Sequence, residues 1–265
     1  MKKLLTGLLL ISSILSFGAT QRVPIEKLVG NGDGQLLYLE GEKKPYTGEI
    51  ERKYPNGKLL GVATMKNGKL EGKAYEYYES GKVKTEENYV DGKANGVLKS
   101  YYENGQLEYE TNFKNNQKEG IEKAYSKTGI LLSEVPFKND NVTGLVKLYN
   151  EQTGKLEYET NIVNGVRNGL SKKYYPSGKL FSEVNFKDDK EVGIMKAYYE
   201  SGKLQGEIPY KDGLIDGTVK FYHENGKLNE ETVFKNGKKN GTLKLYDENG
   251  KLQRQANFVD DKQVN

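Results

Sequence analysis

Seven glutamates recur at a near-fixed spacing along this chain: Glu86, Glu110, Glu134, Glu159, Glu183, Glu207 and Glu231. A second ladder runs beside them, Lys99, Lys123, Lys147, Lys172, Lys196, Lys220 and Lys244. Paired carboxylates can hydrolyse glycosides, one giving a proton while the other attacks or activates water. That chemistry needs two carboxyls in unlike surroundings, whereas a ladder gives every member the same ones. The pattern therefore reads as structural Lys–Glu pairing. The single histidine, His223, stands where other units carry the second residue of a Tyr-Tyr pair, such as Tyr102 or Tyr199, so it reads as a substituted repeat residue. With one His and no Cys, triads and Cys-ligated zinc have no material, and disulfides and cysteine lipidation go with them. The recurring Gly-Lys is followed by Leu or Val, not the Ser or Thr of a phosphate-binding loop. Asn31-Gly32-Asp33-Gly34 opens like a calcium loop but lacks the later ligands and the bidentate Glu, which leaves a plain turn. No catalytic residue, metal ligand or cofactor site is expected.

What remains as surface chemistry is tyrosine in rows. Rigid, amphipathic tyrosine supplies contact area with little loss of entropy, and its ring can stack on sugars. The candidate interaction face consists of Tyr78, Tyr102, Tyr175 and Tyr199, the second residues of their pairs, which strand alternation directs away from the packed face. The partner expected on such a face is a protein or a surface glycan.

These residues are positioned by a repeat. Glycines close successive units at Gly48, Gly72, Gly96, Gly120, Gly144, Gly169, Gly193, Gly217 and Gly241, a period of 24 residues broken by one insertion within Asn150 to Thr153. Such self-similarity means stacked supersecondary units. Counted from the opening glycine, the fifth residue is Tyr in every unit except the first, which has Lys53. A second glycine follows four residues on, as in Glu103-Asn104-Gly105, and fits a three-residue hairpin loop ending in a left-handed residue. An aliphatic residue stands two beyond it (Leu107, Leu180, Leu228) and a bulky apolar one six further on (Phe113, Phe186, Phe234). The fifth-position tyrosine is expected to pair across the hairpin with the aliphatic residue. The even separation places the aliphatic and bulky residues on one face, expected to be the packed one. Each unit closes on an Asn or Asp followed by Gly, Asn or Asp, residues that tolerate the two positive φ angles of a type I′ turn.

The expected fold is all-β: an elongated array of stacked antiparallel β-hairpins, roughly eighteen strands and about 90 Å long at about 4.8 Å per strand. Residues 36–265 form the repeat domain, a half-repeat cap and nine hairpin units, and 19–35 form an N-terminal lead. Residues 1–18 read as a signal peptide, with Lys2 and Lys3 before an apolar run from Leu4 to Phe17 and cleavage after Gly18 or Ala19. Export to the periplasm, cell surface or medium follows from it. The charge of +4 is interleaved rather than blocked, and loss of Lys2 and Lys3 takes it to about +2, so no nucleic-acid partner is expected.

The Tyr-Tyr-x-x-Gly-Lys-Leu and Phe-Lys-Asn-Gly-Lys-x-x-Gly units resemble the MORN-repeat variant of the YwqK-type antitoxin family of bacterial proteins. Pro45-Tyr46-Thr47-Gly48 followed by Tyr54-Pro55-Asn56-Gly57-Lys58-Leu59 is especially similar. The resemblance runs from about Leu36 to the C-terminus and implies stacked hairpins, a non-enzymatic role and protein or membrane-lipid contacts. The chain has no Trp, which the usual MORN unit carries. Two functions follow from these readings: an exported interaction module, or an antitoxin or immunity protein.

Overall fold

The computed structural model describes residues 21–30 and 36–264; the expected signal peptide and the Asn31-Gly32-Asp33-Gly34 turn lie outside the described residues. The repeats form one continuous antiparallel meander in which strand follows strand in chain order. One turn of 3-10 helix, Ile25–Lys27, is the only helix among the described residues. Each tier is a hairpin. In the tier opened by Gly96, the strand Gly96–Tyr101 leads out and Leu107–Lys114 returns.

Local chemistry makes both turns. The Tyr102 N–H donates to the Gln106 carbonyl at 2.8 Å and the Gly105 N–H to the Tyr102 carbonyl at 2.8 Å. This encloses a three-residue loop, and Gly105 adopts φ +91°, which a side chain would strain. At the other end, paired positive φ angles fall on the expected Asx residues, such as Asn115 at 52° and Asn116 at 69°.

One expectation about the faces is overturned. Tyr101 does pair with Leu107, but the next pair is Ser100 with Tyr109, so Glu108 is an extra residue on the return strand. The same β-bulge recurs in tier after tier, for example at Ala124/Tyr125, Lys173/Tyr174 and Phe221/Tyr222. It inverts the side-chain alternation between Leu107 and Phe113. The tyrosine and leucine therefore share one face with Lys99 and Glu110, while Phe113 lies on the other with Leu98, Ser100, Tyr109 and Thr111.

The second face is the packed one. Ile50, Met65, Ser100, Thr111, Thr160, Ser171, Ser182, Phe186, Val219, Thr232 and Ala256 are all buried and all fall on it. Its partners are matched in size across tiers. Gly206 faces Phe221, and a Cβ on Gly206 would lie 2.7 Å from that ring. Its buried hydroxyls are bonded: Thr160 with Ser171, and Thr232 to Glu230 at 2.8 Å. At the N-terminal end, Val23–Pro24 pairs in parallel with Ile50–Glu51 and covers the first tier's edge, a place where proline's missing N–H is tolerated. Leu28–Gly30 pairs with Leu37–Leu39 in a separate ribbon.

Candidate interaction surface

The open face carries three parallel rows. Along the middle, six of the seven glutamates lie between the lysine of their own tier and that of the next, as Glu110 does between Lys99 and Lys123, while Glu86 lies between Tyr75 and Lys99. The ion pairs this makes include Lys147–Glu134 at 3.4 Å, Lys172–Glu159 at 3.7 Å and Lys244–Glu231 at 2.9 Å. The fifth-position tyrosines complete them. Tyr149 donates to Glu134 at 2.9 Å, Tyr174 to Glu159 at 2.7 Å, Tyr198 to Glu183 at 2.8 Å and Tyr222 to Glu207 at 3.0 Å. Burial first, then the bonded carboxylate, pushes the hydroxyls of Tyr149, Tyr174 and Tyr198 up to about 12. In return the Tyr149 bond, with Lys147 behind it, holds Glu134 below its usual value, and Lys244 does most of the same for Glu231. A general acid needs a carboxyl moved the other way. At Glu134, Glu159 and Glu231 the ladder forms neutralised Lys–Glu–Tyr triads, in keeping with the structural reading of its sequence.

The second tyrosines of the pairs sit at the mouth of the loop, where strand alternation no longer sets their direction. Each reaches into the next tier. The hydroxyls of Tyr54, Tyr78, Tyr102, Tyr175 and Tyr199 donate to the carbonyls of Tyr77, Tyr101, Tyr125, Tyr198 and Tyr222 at 2.6–2.9 Å. His223 replaces a tyrosine and keeps the contact, its Nε2 lying 3.0 Å from the Tyr246 carbonyl. The residues read from sequence as a candidate binding face, Tyr78, Tyr102, Tyr175 and Tyr199, are thus part-buried ties between tiers. Lysines add parallel ties, Lys179 to the Glu200 carbonyl and Lys203 to the Glu224 carbonyl, both at 2.8 Å.

Two consecutive tiers lack the tyrosine tie. Ser126 turns its Oγ to its own loop, accepting from the Ile130 N–H at 3.1 Å. Asn150 accepts from the N–H groups of Gln152 and Thr153 at 3.1 and 3.0 Å, closing the loop that the insertion lengthens. Beside it lies a cleft of about 260 Å³ whose lining includes Asn150, Leu156, Tyr174, Tyr175, Pro176 and Phe181.

Sequence reasoning missed the third row. Val97, Ile121, Leu145, Leu170 and Ile194 each follow the opening glycine of five consecutive tiers, and they pair across the open face with Asn112, Pro136, Asn161, Asn185 and Pro209. Val97, Ile121 and Ile194 are about half exposed. The available signal was an aliphatic residue held at one repeat position where the fold has no core to fill. Tiers lie about 9.6 Å apart, two strands each, so the row is about 40 Å long.

The MORN repeat variant family model matches residues 46–67, 70–91, 94–115, 118–139, 167–188, 191–212, 215–236 and 239–260. The tier it passes over is the one opened by Gly144, which holds the insertion. No curated protein matches the chain. Among solved structures, "Crystal Structure of TcdB2-TccC3-Cdc42" is matched at 14% identity over 80% of this chain and 14% of that chain, with a TM-score of 0.21. At that score the likeness carries no argument. No helix among the described residues is long and apolar enough to cross a membrane, and no group of three or more His, Cys, Asp or Glu among them is placed to hold a metal.

Proposed function

This chain belongs to the MORN repeat variant family, and on that premise we propose that it is an exported, non-catalytic module that binds a protein at a bacterial surface or in the envelope. Repeats of this family serve binding, and the regular array presents one surface over many tiers rather than one reactive centre. The observation that carries the reading is the row Val97, Ile121, Leu145, Leu170 and Ile194, of which all but the part-buried Leu170 are exposed. Burying it against a partner removes apolar surface from water, and such patches mark interaction sites. The partner is a protein rather than a glycan, because the exposed row is aliphatic while the tyrosines that would stack on sugars are engaged between tiers. Export is supported by the Lys2-Lys3 and Leu4 to Phe17 sequence.

The test captures partners from surface proteins, surface glycans and cytoplasmic extract with the chain beginning at Ala19, beside a variant with Val97, Ile121 and Ile194 changed to Ser. A surface protein lost by the variant is the expected result. Equal capture by both chains would overturn the row as the contact, and a toxin captured from the cytoplasmic extract would favour the antitoxin or immunity reading. N-terminal sequencing of exported material should begin near Ala19 or Thr20; an intact Met1 found only in the cytosol would overturn export.

A further inference from the structure

We propose that the cleft beside Asn150 receives a tyrosine side chain from a partner polypeptide, in the place where five other tiers hold a tyrosine of their own. The template is intramolecular. In the tiers of Tyr78, Tyr102, Tyr175 and Tyr199, a phenol spans from its loop to the next tier and donates to a backbone carbonyl at 2.6–2.9 Å. The corresponding span here runs from Asn150 to Tyr174, and both residues line the cleft. The loop bonds that close this tier match the others in kind, Asn150 N–H to the Lys155 carbonyl at 2.9 Å and Gly154 N–H to the Asn150 carbonyl at 2.8 Å. The frame is therefore kept while the ring is missing. Among the described residues no side chain donates to the Tyr174 carbonyl, so the acceptor the phenol would use is open.

The walls differ from those of other tiers in a way that suits a ring. Phe181 occupies the bulge position, where the other tiers carry Leu60, Lys84, Glu108, Leu132, Glu157, Gln205, Asn229 and Gln253. It is the only aromatic residue at that position. It stands edge-on to Tyr175 at 5.1 Å and 80°, with the Lys173 ammonium 5.7 Å from its centre. Phe181, Tyr175, Pro176 and Leu156 give the cleft apolar walls, and polar groups including Lys155 and Glu157 complete its lining, a mixture that favours an amphipathic phenol over an aliphatic side chain. Three departures from the repeat meet at this place: the inserted residue, the lost tyrosine and the added phenylalanine. The site does not depend on the aliphatic row.

The test titrates the full chain with the end-blocked peptide Gly-Gly-Tyr-Gly-Gly and its Phe twin, read by amide shifts in NMR. Binding in the millimolar range is expected for so small a probe, with shifts confined to 150–156 and 173–181. The Phe twin should bind about fivefold more weakly through loss of the hydroxyl's bond. Asn150→Tyr combined with deletion of Gln152 restores the regular loop and fills the slot from within, and should abolish binding. Should that variant fail to fold, Phe181→Gln, the residue type at 205, should keep the fold and weaken binding several-fold. Equal affinity for both peptides, shifts spread across all tiers, unchanged binding in Phe181→Gln, or methyl glucoside binding in place of the peptide would each overturn the proposal.

Discussion

The tiers opened by Gly169, Gly193 and Gly217 and those opened by Gly120 and Gly144 share one hairpin grammar and are joined differently. In the first set every loop reaches its neighbour twice, through Tyr175 and Lys179, Tyr199 and Lys203, and His223 and Lys227. In the second, Ser126 and Asn150 serve their own loops, and among the described residues Lys155 alone hydrogen-bonds forward to the next tier's loop, to the Ser177 carbonyl at 3.1 Å. The opposite end of the array shows no such contrast. Asp140 and Gly165 donate to Lys118 and Val142 at 3.1 and 2.9 Å, much as Asp189 and Gly213 donate to Arg167 and Glu191 at 3.1 and 3.0 Å. The centre is thus loosened along one margin only. Periodicity secures each hairpin, whereas coupling between hairpins rests on a few side chains whose loss leaves room for something else.

The largest expected effect separates the two sets at one repeat position. Phe186 is buried, with the Arg167 guanidinium 4.0 Å from its ring centre, while the matching residue of the Gly144 tier is the less buried Ile162. Phe186→Ala should cost about 3 kcal/mol and Ile162→Ala about 2 kcal/mol or less, read by urea denaturation. An equal cost would remove the contrast in packing.

Next come the ties themselves. Tyr199→Phe removes only a hydroxyl and leaves the Tyr222 carbonyl without its side-chain donor, so it should cost about 1 kcal/mol. Restoring a tie with Ser126→Tyr should return less than that, because the Ser126 bonds to its own loop are lost in exchange. If both substitutions were neutral, the tyrosines would be surface cover and not ties.

A smaller and more diffuse effect is expected from pH. The hydroxyls of Tyr149, Tyr174 and Tyr198 titrate near 12 in the fold against 10.0 for an ordinary tyrosine. Their contribution is complete below pH 10.0 and is lost as pH rises toward about 12. Glu134 and Glu231 act with the opposite sign, contributing above the ordinary carboxylate value and losing that contribution as pH falls through their lowered values. Tyrosinate absorbance followed with far-ultraviolet circular dichroism checks the alkaline limb. Tyrosine ionisation complete near pH 10 with the fold intact would contradict it.

What the sequence made legible was local. The Asx pairs that take positive φ, the loop glycines, the Tyr–Leu pairing and the standing of His223 as a replaced tyrosine each depend on a few neighbouring residues. The bulge was legible only by arithmetic: Gly96 to Tyr101 is five steps and the paired Leu107 to Phe113 is six, so one residue must be extra. Parity counted along a single strand hides that mismatch, which is why Tyr101 and Leu107 were expected on the packed face beside Phe113, where only Phe113 belongs. The direction of Tyr102 and its equivalents was not legible at all. They stand in a loop, and their acceptors lie 23 residues ahead in a neighbour placed only by the stacking.

Amide hydrogen exchange measured tier by tier tests the central claim most directly, that the second tyrosines couple the array and that the centre lacks this coupling. Protection in the outgoing strands and loops should be highest from Gly169 to Tyr222 and should dip from Gly120 to Gly154, and Tyr199→Phe should lower it in the Gly193 and Gly217 tiers before the others. Uniform protection along the whole array, unchanged by Tyr199→Phe, would contradict the account.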